Sequence, residues 1–360
     1  MQRQISLDIF RGLTLAAMLL VNNPGTWSAV YPPLLHAEWH GLTPTDLVYP
    51  FFMFIVGAAL FHSMKNVPAG VIPWAKIVKR TVLLFLIGVG LNVFPFTAPL
   101  TEWRIMGVLQ RIALCYGVAA VLVCVLDKKQ LLVLSAIILI GYWLILLIVQ
   151  DPFSLESNLV RQWDLVLLGS SHLYQGYGVA FEPEGMLSCL PAVVSVLAGY
   201  FTSDMLEHKP TASAKVKGLF VWGLSALAAA LIWQFWFPIN KPLWTSTYVL
   251  ITSAFAWFSL AAIIYIHDIR NISKGFQWLL VYGSNPLFIY VLSILFSRTI
   301  SLISWTNESG NAVTLKNAIY TFFNGFLSPI NASLLFAVVV VGIFYLVSAW
   351  LYKRKIFIKL

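Results

Sequence analysis

Residues 34–64 read LLHAEWHGLTPTDLVYPFFMFIVGAALFHSM, a short polar loop that runs into an apolar stretch of membrane length. The loop carries His36, Glu38 and His40 and ends at Gly41. Thr43-Pro44-Thr45-Asp46 then predicts a helix start. Thr43 suits the N-cap, Pro44 the first helical position, and Asp46 the place where a carboxylate reaches back to an orphan backbone N–H. The apolar run after it predicts a helix that crosses a bilayer. A titratable cluster held just ahead of a capped helix, at the edge of a membrane, points to proton chemistry, because imidazole takes and gives protons near neutral pH.

Composition sets the class around that helix. The 360 residues are 59% hydrophobic, 15% aromatic and only 10% charged, with a mean hydropathy of +0.83. Soluble domains carry about 25% charge, so the chain reads as an integral membrane protein. Apolar runs near twenty residues recur, which predicts helices rather than a barrel of alternating strands. The net charge of +9 would suggest nucleic acid in a soluble protein. Here the basic residues fall between apolar runs, where the bilayer accounts for them and no nucleic acid is called for. Cys115, Cys124 and Cys189 lie in or beside apolar segments and show no CxxC or Cys/His spacing, so neither a disulfide framework nor a metal is expected. Met1 opens almost directly into an apolar run with no basic lead and no small-residue cleavage site, which reads as a retained first helix.

Ten spans are predicted, at about 7–22, 46–64, 80–96, 107–126, 131–149, 188–205, 217–237, 245–266, 276–297 and 332–352. The expected fold is all-α: a polytopic transmembrane bundle of about ten helices, in one domain spanning residues 1–360. Of the 23 basic residues, all but Arg104, Arg111, Arg161, Lys241, Arg298 and Lys316 fall on the amino-terminal side of such a topology. The positive-inside rule then puts both termini in the cytoplasm and the His36 loop outside. Segment 150–187 is too long for a connector and is rich in Gly, Tyr, His and carboxylates, as functional loops are. Segment 298–331 holds a short apolar piece, Ala318–Leu327, that reads as a surface or re-entrant helix.

Several residues carry chemistry on their own terms. His36 is the leading proton acceptor, although a loop imidazole bonded to a backbone carbonyl fits the same pattern. Asp46 starts a helix and is also placed to orient His36; one use does not exclude the other. Asn22 ends the first span, where an asparagine also simply terminates helices. Asp8 and Arg11, three apart, read as an interfacial ion pair, with phosphate binding as the sharper use of Arg11. Gln110 and Arg111 lie about one turn inside the fourth span. An intramembrane arginine normally faces the bundle interior or a cavity, or else an ion-pair partner. Asp164, His172, Tyr174, Gln175, Glu182 and Glu184 cluster in segment 150–187. Carboxylates among aromatic rings suit an amino sugar, pairing with ammonium and hydroxyls while rings stack on the sugar face. Asn285-Pro286 lies inside a span, where proline frees backbone carbonyls to line a cavity.

The chain resembles a known family, the heparan-α-glucosaminide N-acetyltransferases and their bacterial relatives. The motifs that carry the resemblance are SLDIFRGLTLAAMLLVN (6–22), HAEWHGLTPTDLVYPFFMFIVG (36–57), GVLQRIALCY (107–116), DLVLLGSSHLYQ (164–175), EPEGMLS (182–188) and INKPLW (239–244), with LYKRKIFIKL at the carboxyl end. The likeness implies acetyl transfer across the membrane, from cytoplasmic acetyl-CoA to the amine of a glucosamine-type sugar, in a bacterial inner membrane. It implies that His36 is catalytic, either as base or as a transient acyl carrier, and that Asn22 steadies the oxyanion. His40 stands where the family has an asparagine and inherits no role. Arg111, with Gln110, Arg11 and Asn285, would hold the donor; Asp164, His172, Tyr174, Glu182, Glu184, Lys241 and Trp244, with Asn240 beside them, would hold the acceptor. Two other readings stay open: an amino-sugar permease in which the histidine couples to protons, and an acyltransferase acting on another amine. The sequence admits a homodimer without fixing the oligomeric state.

Overall fold

The computed structural model describes residues 4–68, 70–306 and 310–358. Arg3, Lys359 and the tripeptide Asn307-Glu308-Ser309 lie outside them. Among the described residues the chain forms α1 (Ile5–Asn22), α2 (Val48–Met64), α3 (Trp74–Val93), α4 (Val108–Val125), α5 (Lys128–Leu146), α6 (Leu159–Leu168) and α7 (Cys189–His208). It continues with α8 (Ala212–Trp233), α9 (Ser246–Ile264), α10 (Gln277–Tyr282), α11 (Pro286–Leu302), α12 (Leu315–Asn324) and α13 (Pro329–Lys353). A two-stranded antiparallel ribbon, β1 (Ser304–Thr306) and β2 (Ala312–Thr314), is the only sheet among them. The protein is all-helical and polytopic.

Eight of these helices are long and apolar enough to cross a membrane: α1, α2, α4, α5, α7, α8, α9 and α13. The remaining two of the ten expected spans are also helical, in altered form. α3 starts at Trp74 rather than at residue 80, so Lys76, Lys79 and Arg80 occupy its first two turns. Long basic side chains tolerate that placement because their stems lie along apolar surface while the charged heads reach outward. The ninth expected span is broken into α10 and α11. Pro286 has no N–H to give and disfavours helical geometry at Asn285, which sits at φ −135°, ψ 53°.

Local caps set several boundaries. Asp127 accepts from the Gln130 N–H at 2.8 Å while Gln130 Oε1 accepts from the Asp127 N–H at 2.9 Å, a reciprocal box that starts α5 at Lys128. Thr314 caps α12 through the Asn317 N–H at 3.1 Å, which starts the expected short helix at Leu315 instead of 318. α6 is a helix that the apolar pattern of segment 150–187 conceals. Asn158 caps it, Val160 and Asp164 turn inward one turn apart, and Trp163, Val166 and Leu167 stay exposed.

Contacts divide the described residues into two compact units. The first takes in the described parts of Met1–His36, Thr43–Val48 and Ile266–Lys359. Here α1 packs on α10, α11 and α13. The closest approach needs two glycines: a Cβ on Gly12 would sit 1.8 Å from the Leu279 carbonyl oxygen, and one on Gly283 would sit 2.4 Å from that of Asp8. The second unit comprises Ala37–Leu42 and Tyr49–Tyr265. It uses the same device, since a Cβ on Gly57 would lie 1.7 Å from Val196 O and one on Gly199 would lie 1.8 Å from Phe54 O. Small residues let membrane helices approach backbone to backbone where apolar burial gives little preference between lipid and protein. Within the second unit Tyr142, Leu146, Val160, Phe181, Phe237 and Leu243 form a core on which Trp39 rests. The Trp39 indole donates to Phe153 O at 2.7 Å and meets Phe181 edge-on at 5.4 Å.

Candidate active site

In the first unit, a 3-10 turn, Pro44–Leu47, capped at Thr43, leads into α2, and its start does two jobs. Asp46 Oδ2 accepts from the Thr43 backbone N–H and from its hydroxyl, both at 3.0 Å, as the reach-back half of a capping box. Its other oxygen, Oδ1, lies 2.6 Å from His36 Nδ1. The Asp46 side chain is 1% exposed and that of His36 is 49% exposed. The single Thr43 hydroxyl proton is shared with Leu35 O, at 2.7 Å, and Thr45 Oγ1 donates to Pro33 O at 3.2 Å, so the turn before His36 is tied to the helix it precedes. An ionised carboxylate only accepts, so Nδ1 carries the proton and Nε2 the lone pair. The result is a half-exposed imidazole whose tautomer and direction are fixed by a buried carboxylate.

Asn22 is exposed at the end of α1, and no hydrogen bond joins it to His36. The asparagine that caps this helix is its neighbour Asn23, buried, with Nδ2 donating to Leu19 O at 2.8 Å. A shallow apolar depression lies next to them in sequence, lined by Val21, Tyr31 and Leu34 with Ile330, Leu334 and Ala337 of α13. Arg11 pairs with Asp8 at 2.7 Å. Asn285 is committed elsewhere: Nδ2 donates to Ile356 O at 2.9 Å and Oδ1 accepts from the Ile358 N–H at 2.7 Å. These two bonds clamp the segment after α13.

In the second unit Arg111 is fully buried on α4. Its Nη2 donates to Ser188 Oγ and, at 3.3 Å, to Gly185 O. The guanidinium lies over the Trp244 ring, 4.9 Å from its centre. Nε and Nη1 are buried and unpartnered. A fully buried cation with unfilled donors is costly and calls for a ligand. Asp164 stands on the far side of the same glycine. Its Oδ1 accepts from the Met186 N–H at 2.9 Å, and its buried Oδ2 has no partner. Burial raises its pKa to about 7, against the Met186 N–H and the Arg111 charge that pull the other way. A Cβ on Gly185 would lie 1.8 Å from that Oδ2, so a side chain there would displace the Asp164 carboxylate.

Glu182 and Glu184 do not stand free. Arg104 grips Glu182 with two hydrogen bonds, at 2.9 and 2.6 Å, and reaches Glu184 at 2.8 Å. Its guanidinium also lies over the Tyr174 ring at 4.7 Å. Burial raises the Glu182 pKa despite Arg104, whereas at Glu184 burial is outweighed by Arg104, Arg111 and Lys241, which hold it below the usual range. His172 Nδ1 lies 2.6 Å from the Trp103 carbonyl and Gln110 Nε2 donates to Ile105 O at 2.9 Å, so these two hold the segment that carries Arg104. Trp244 is buried beneath Arg111, with its indole donating to Ser195 Oγ at 3.2 Å. Sequence reasoning missed Arg104 and Gly185. The signal for Arg104 was there: it is one of six basic residues off the basic-rich side, and a carboxylate-rich segment supplies its partners.

His40 makes the contrast with His36. Asn240 Nδ2 donates to Trp39 O at 2.9 Å and lies 3.2 Å from His40 Nδ1. That nitrogen therefore accepts, and His40 holds the opposite tautomer. Burial lowers its pKa. It is a neutral strut between the loop and the 239–240 turn.

These features define a multi-pass helical membrane protein with a carboxylate-oriented histidine and a buried arginine that lacks ligands. The family model for the catalytic region of heparan-alpha-glucosaminide N-acetyltransferase matches residues 3–235, more than half of the chain, and the chain belongs to that family. It is similar to heparan-alpha-glucosaminide N-acetyltransferase of Homo sapiens, 27% identical over 350 residues that cover 79% of this chain and 52% of the human protein. The Mus musculus enzyme of the same name is 28% identical over 346 residues, with the same coverage of each chain. The chain thus spans about half the length of the curated relatives it matches. His36, Asp46, Arg104, Arg111, Asp164 and Glu182 all fall inside the matched region; Lys241, Trp244 and Asn285 fall outside it.

Proposed function

We propose that this protein is a membrane acyltransferase that moves an acetyl group from acetyl-CoA to the amine of a glucosamine-type sugar. The observation that carries the reading is the contact between His36 Nδ1 and the buried Asp46 carboxylate, in a chain whose family is named for N-acetyl transfer. As the amine attacks the thioester carbonyl, a C–N bond forms and nitrogen gains positive charge. His36 Nε2 takes the proton, and Asp46 steadies the imidazolium. The C–S bond then breaks, and the coenzyme A thiolate leaves and recovers the proton. In the covalent variant Nε2 attacks the thioester carbonyl first, the C–S bond breaks and the coenzyme A thiolate leaves; the amine then attacks the acetyl-imidazole, the N–C bond to Nε2 breaks, and the freed imidazole takes the ammonium proton. Asn22, exposed at the end of α1, is the proposed donor to the oxyanion.

The unpartnered N–H groups of Arg111 suit the carbonyl or phosphate oxygens of the donor. The Arg104–Glu182–Glu184 cluster with Tyr174 suits the ammonium, hydroxyls and ring of the acceptor. The distribution of basic residues supports cytoplasmic termini, hence a cytoplasmic donor and an outer acceptor, in a bacterial plasma membrane. The test is coenzyme A release by the purified protein, supplied with acetyl-CoA and a panel of amino sugars. Release that depends on the amine is expected. An absence of thioester cleavage, together with amino-sugar flux in proteoliposomes, would replace this reading with a permease.

A further inference from the structure

Arg80 lies in the second turn of α3. Among the described residues it has no carboxylate within ion-pair distance. Its guanidinium lies over the Tyr116 ring of α4, 4.6 Å from the centre, and its Nε is buried without a hydrogen-bond partner. Tyr116 is fully buried and its hydroxyl has no partner either. The next residue on each helix repeats the theme. Thr81 Oγ1 is buried and unpartnered, and it packs on Gly117, where a Cβ would come within 2.9 Å of it. The buried helical hydroxyls of Thr14, Ser135, Thr202 and Thr252 turn back onto the carbonyl four residues earlier, as such groups do. That of Thr81 does not, and it shares this with Ser63, Ser203 and Ser348. What sets Thr81 apart is the buried Arg80 Nε and Tyr116 hydroxyl near it in the chain and across the α3–α4 contact.

We propose that Arg80, Thr81 and Tyr116 form an anion subsite where α3 crosses α4, and that it binds a phosphate group. A cation without a counter-charge and buried donors without acceptors lack the same thing, an oxyanion with several oxygens. Lys76, one turn before Arg80 on the same face, donates to Ser63 O at 3.1 Å and adds positive charge to that face of α3. Arg111, with its own unfilled donors, precedes Tyr116 by five residues, about 7.5 Å along the α4 axis. That is within reach of a single extended molecule carrying phosphate at one end. Two sources share this chemistry: the phosphates of a coenzyme A donor, which rests on the proposed function, and the headgroup of an anionic phospholipid.

The experiment compares coenzyme A with pantetheine, which lacks the phosphates, for binding to purified wild type, Arg80→Gln and Tyr116→Phe. Phospholipid retained by each is measured alongside by native mass spectrometry. If the donor fills the subsite, both variants lose about tenfold or more in affinity for coenzyme A and nothing for pantetheine, as expected for a lost charge-assisted contact. If a lipid fills it, coenzyme A affinity holds and retained phosphatidylglycerol falls in both variants. Folded variants that keep both wild-type coenzyme A affinity and wild-type lipid content overturn the subsite. Tyr116→Phe removes one buried oxygen and keeps the test open if Arg80→Gln fails to fold. A wild type that neither binds coenzyme A nor releases it from acetyl-CoA removes the donor reading, and lipid retention alone then decides the subsite.

Discussion

At the scale of single residues, the two imidazoles of the His36 loop are told apart by what faces their Nδ1 atoms. A carboxylate faces that of His36 and an amide N–H that of His40. His36→Ala should lose at least about a hundredfold in acetyl-CoA turnover, a typical general-base contribution, while retaining donor affinity. His40→Ala should lose far less, because its imidazole is a neutral strut. Asp46→Asn is the sharper substitution. The asparagine oxygen can keep the Thr43 cap while its NH₂ turns to His36, moves the imidazole proton to Nε2 and removes the base. Turnover should fall about 10²–10⁴-fold with little change in melting temperature; a near-normal rate would show that the pair is only structural. Asp164 offers a pH test. Its folded pKa is raised to about 7 from 3.8, so between those values the native state binds more protons than the unfolded one and stability falls as pH rises. Asp164→Asn, neutral throughout and still able to accept from Met186, removes that slope. Its melting temperature relative to wild type should therefore climb from pH 5 to pH 8, and parallel curves would mean that Asp164 is ionised in the fold.

At the scale of elements, each unit is drawn together by a reciprocal pair of glycines, Gly12 with Gly283 and Gly57 with Gly199. A side chain at any of these meets backbone carbonyl oxygen, which cannot swing away as a flexible side chain would. Gly57→Val and Gly199→Val should abolish folded protein, judged by monodisperse elution in detergent. Gly342→Ala, where a Cβ meets nothing within 4 Å, should elute as wild type does. Normal elution of Gly199→Val would mean that α2 and α7 do not meet there. Asn285 belongs to this scale too. Asn285→Ala should speed hydrogen exchange over residues 350–358, whose backbone it holds, and leave acetyl-CoA affinity unchanged. The family resemblance implied a donor ligand there, and Asn-Pro inside a span signalled freed polar groups. Neither could show that the partner lies some seventy residues on.

At the scale of the whole chain, what was legible is what repeats locally. Apolar runs of bilayer length, the Thr43-Pro44-Thr45-Asp46 start and the Asn285-Pro286 break follow from hydropathy and backbone chemistry within a few residues. Asp46 as partner to His36 could be read because ten residues and one turn separate them. Arg104 with Glu182, and Asp164 against Gly185, were hidden because their partners come from distant segments. The start of α3 was hidden because a charged first turn conceals a helix from a hydropathy window. The side of the membrane on which each loop lies is carried by the basic residues alone, and it decides the direction of the proposed acetyl transfer. Glu156 and Ser213 flank α7 with only α6 between Glu156 and that helix, and α6, ten residues or about 15 Å long, is too short to cross a bilayer of about 30 Å. Positions 156 and 213 must then lie on opposite sides. Lys209, Lys215 and Lys217 surround the second of them, so the positive-inside rule assigns it to the cytoplasm. Single cysteines at these positions, in a background lacking Cys115, Cys124 and Cys189, should react oppositely with an impermeant maleimide on intact cells. The Glu156→Cys protein should label at once and the Ser213→Cys protein only after lysis. The reverse pattern would turn the molecule over, and would place the His36 loop and the acetyl acceptor in the cytoplasm.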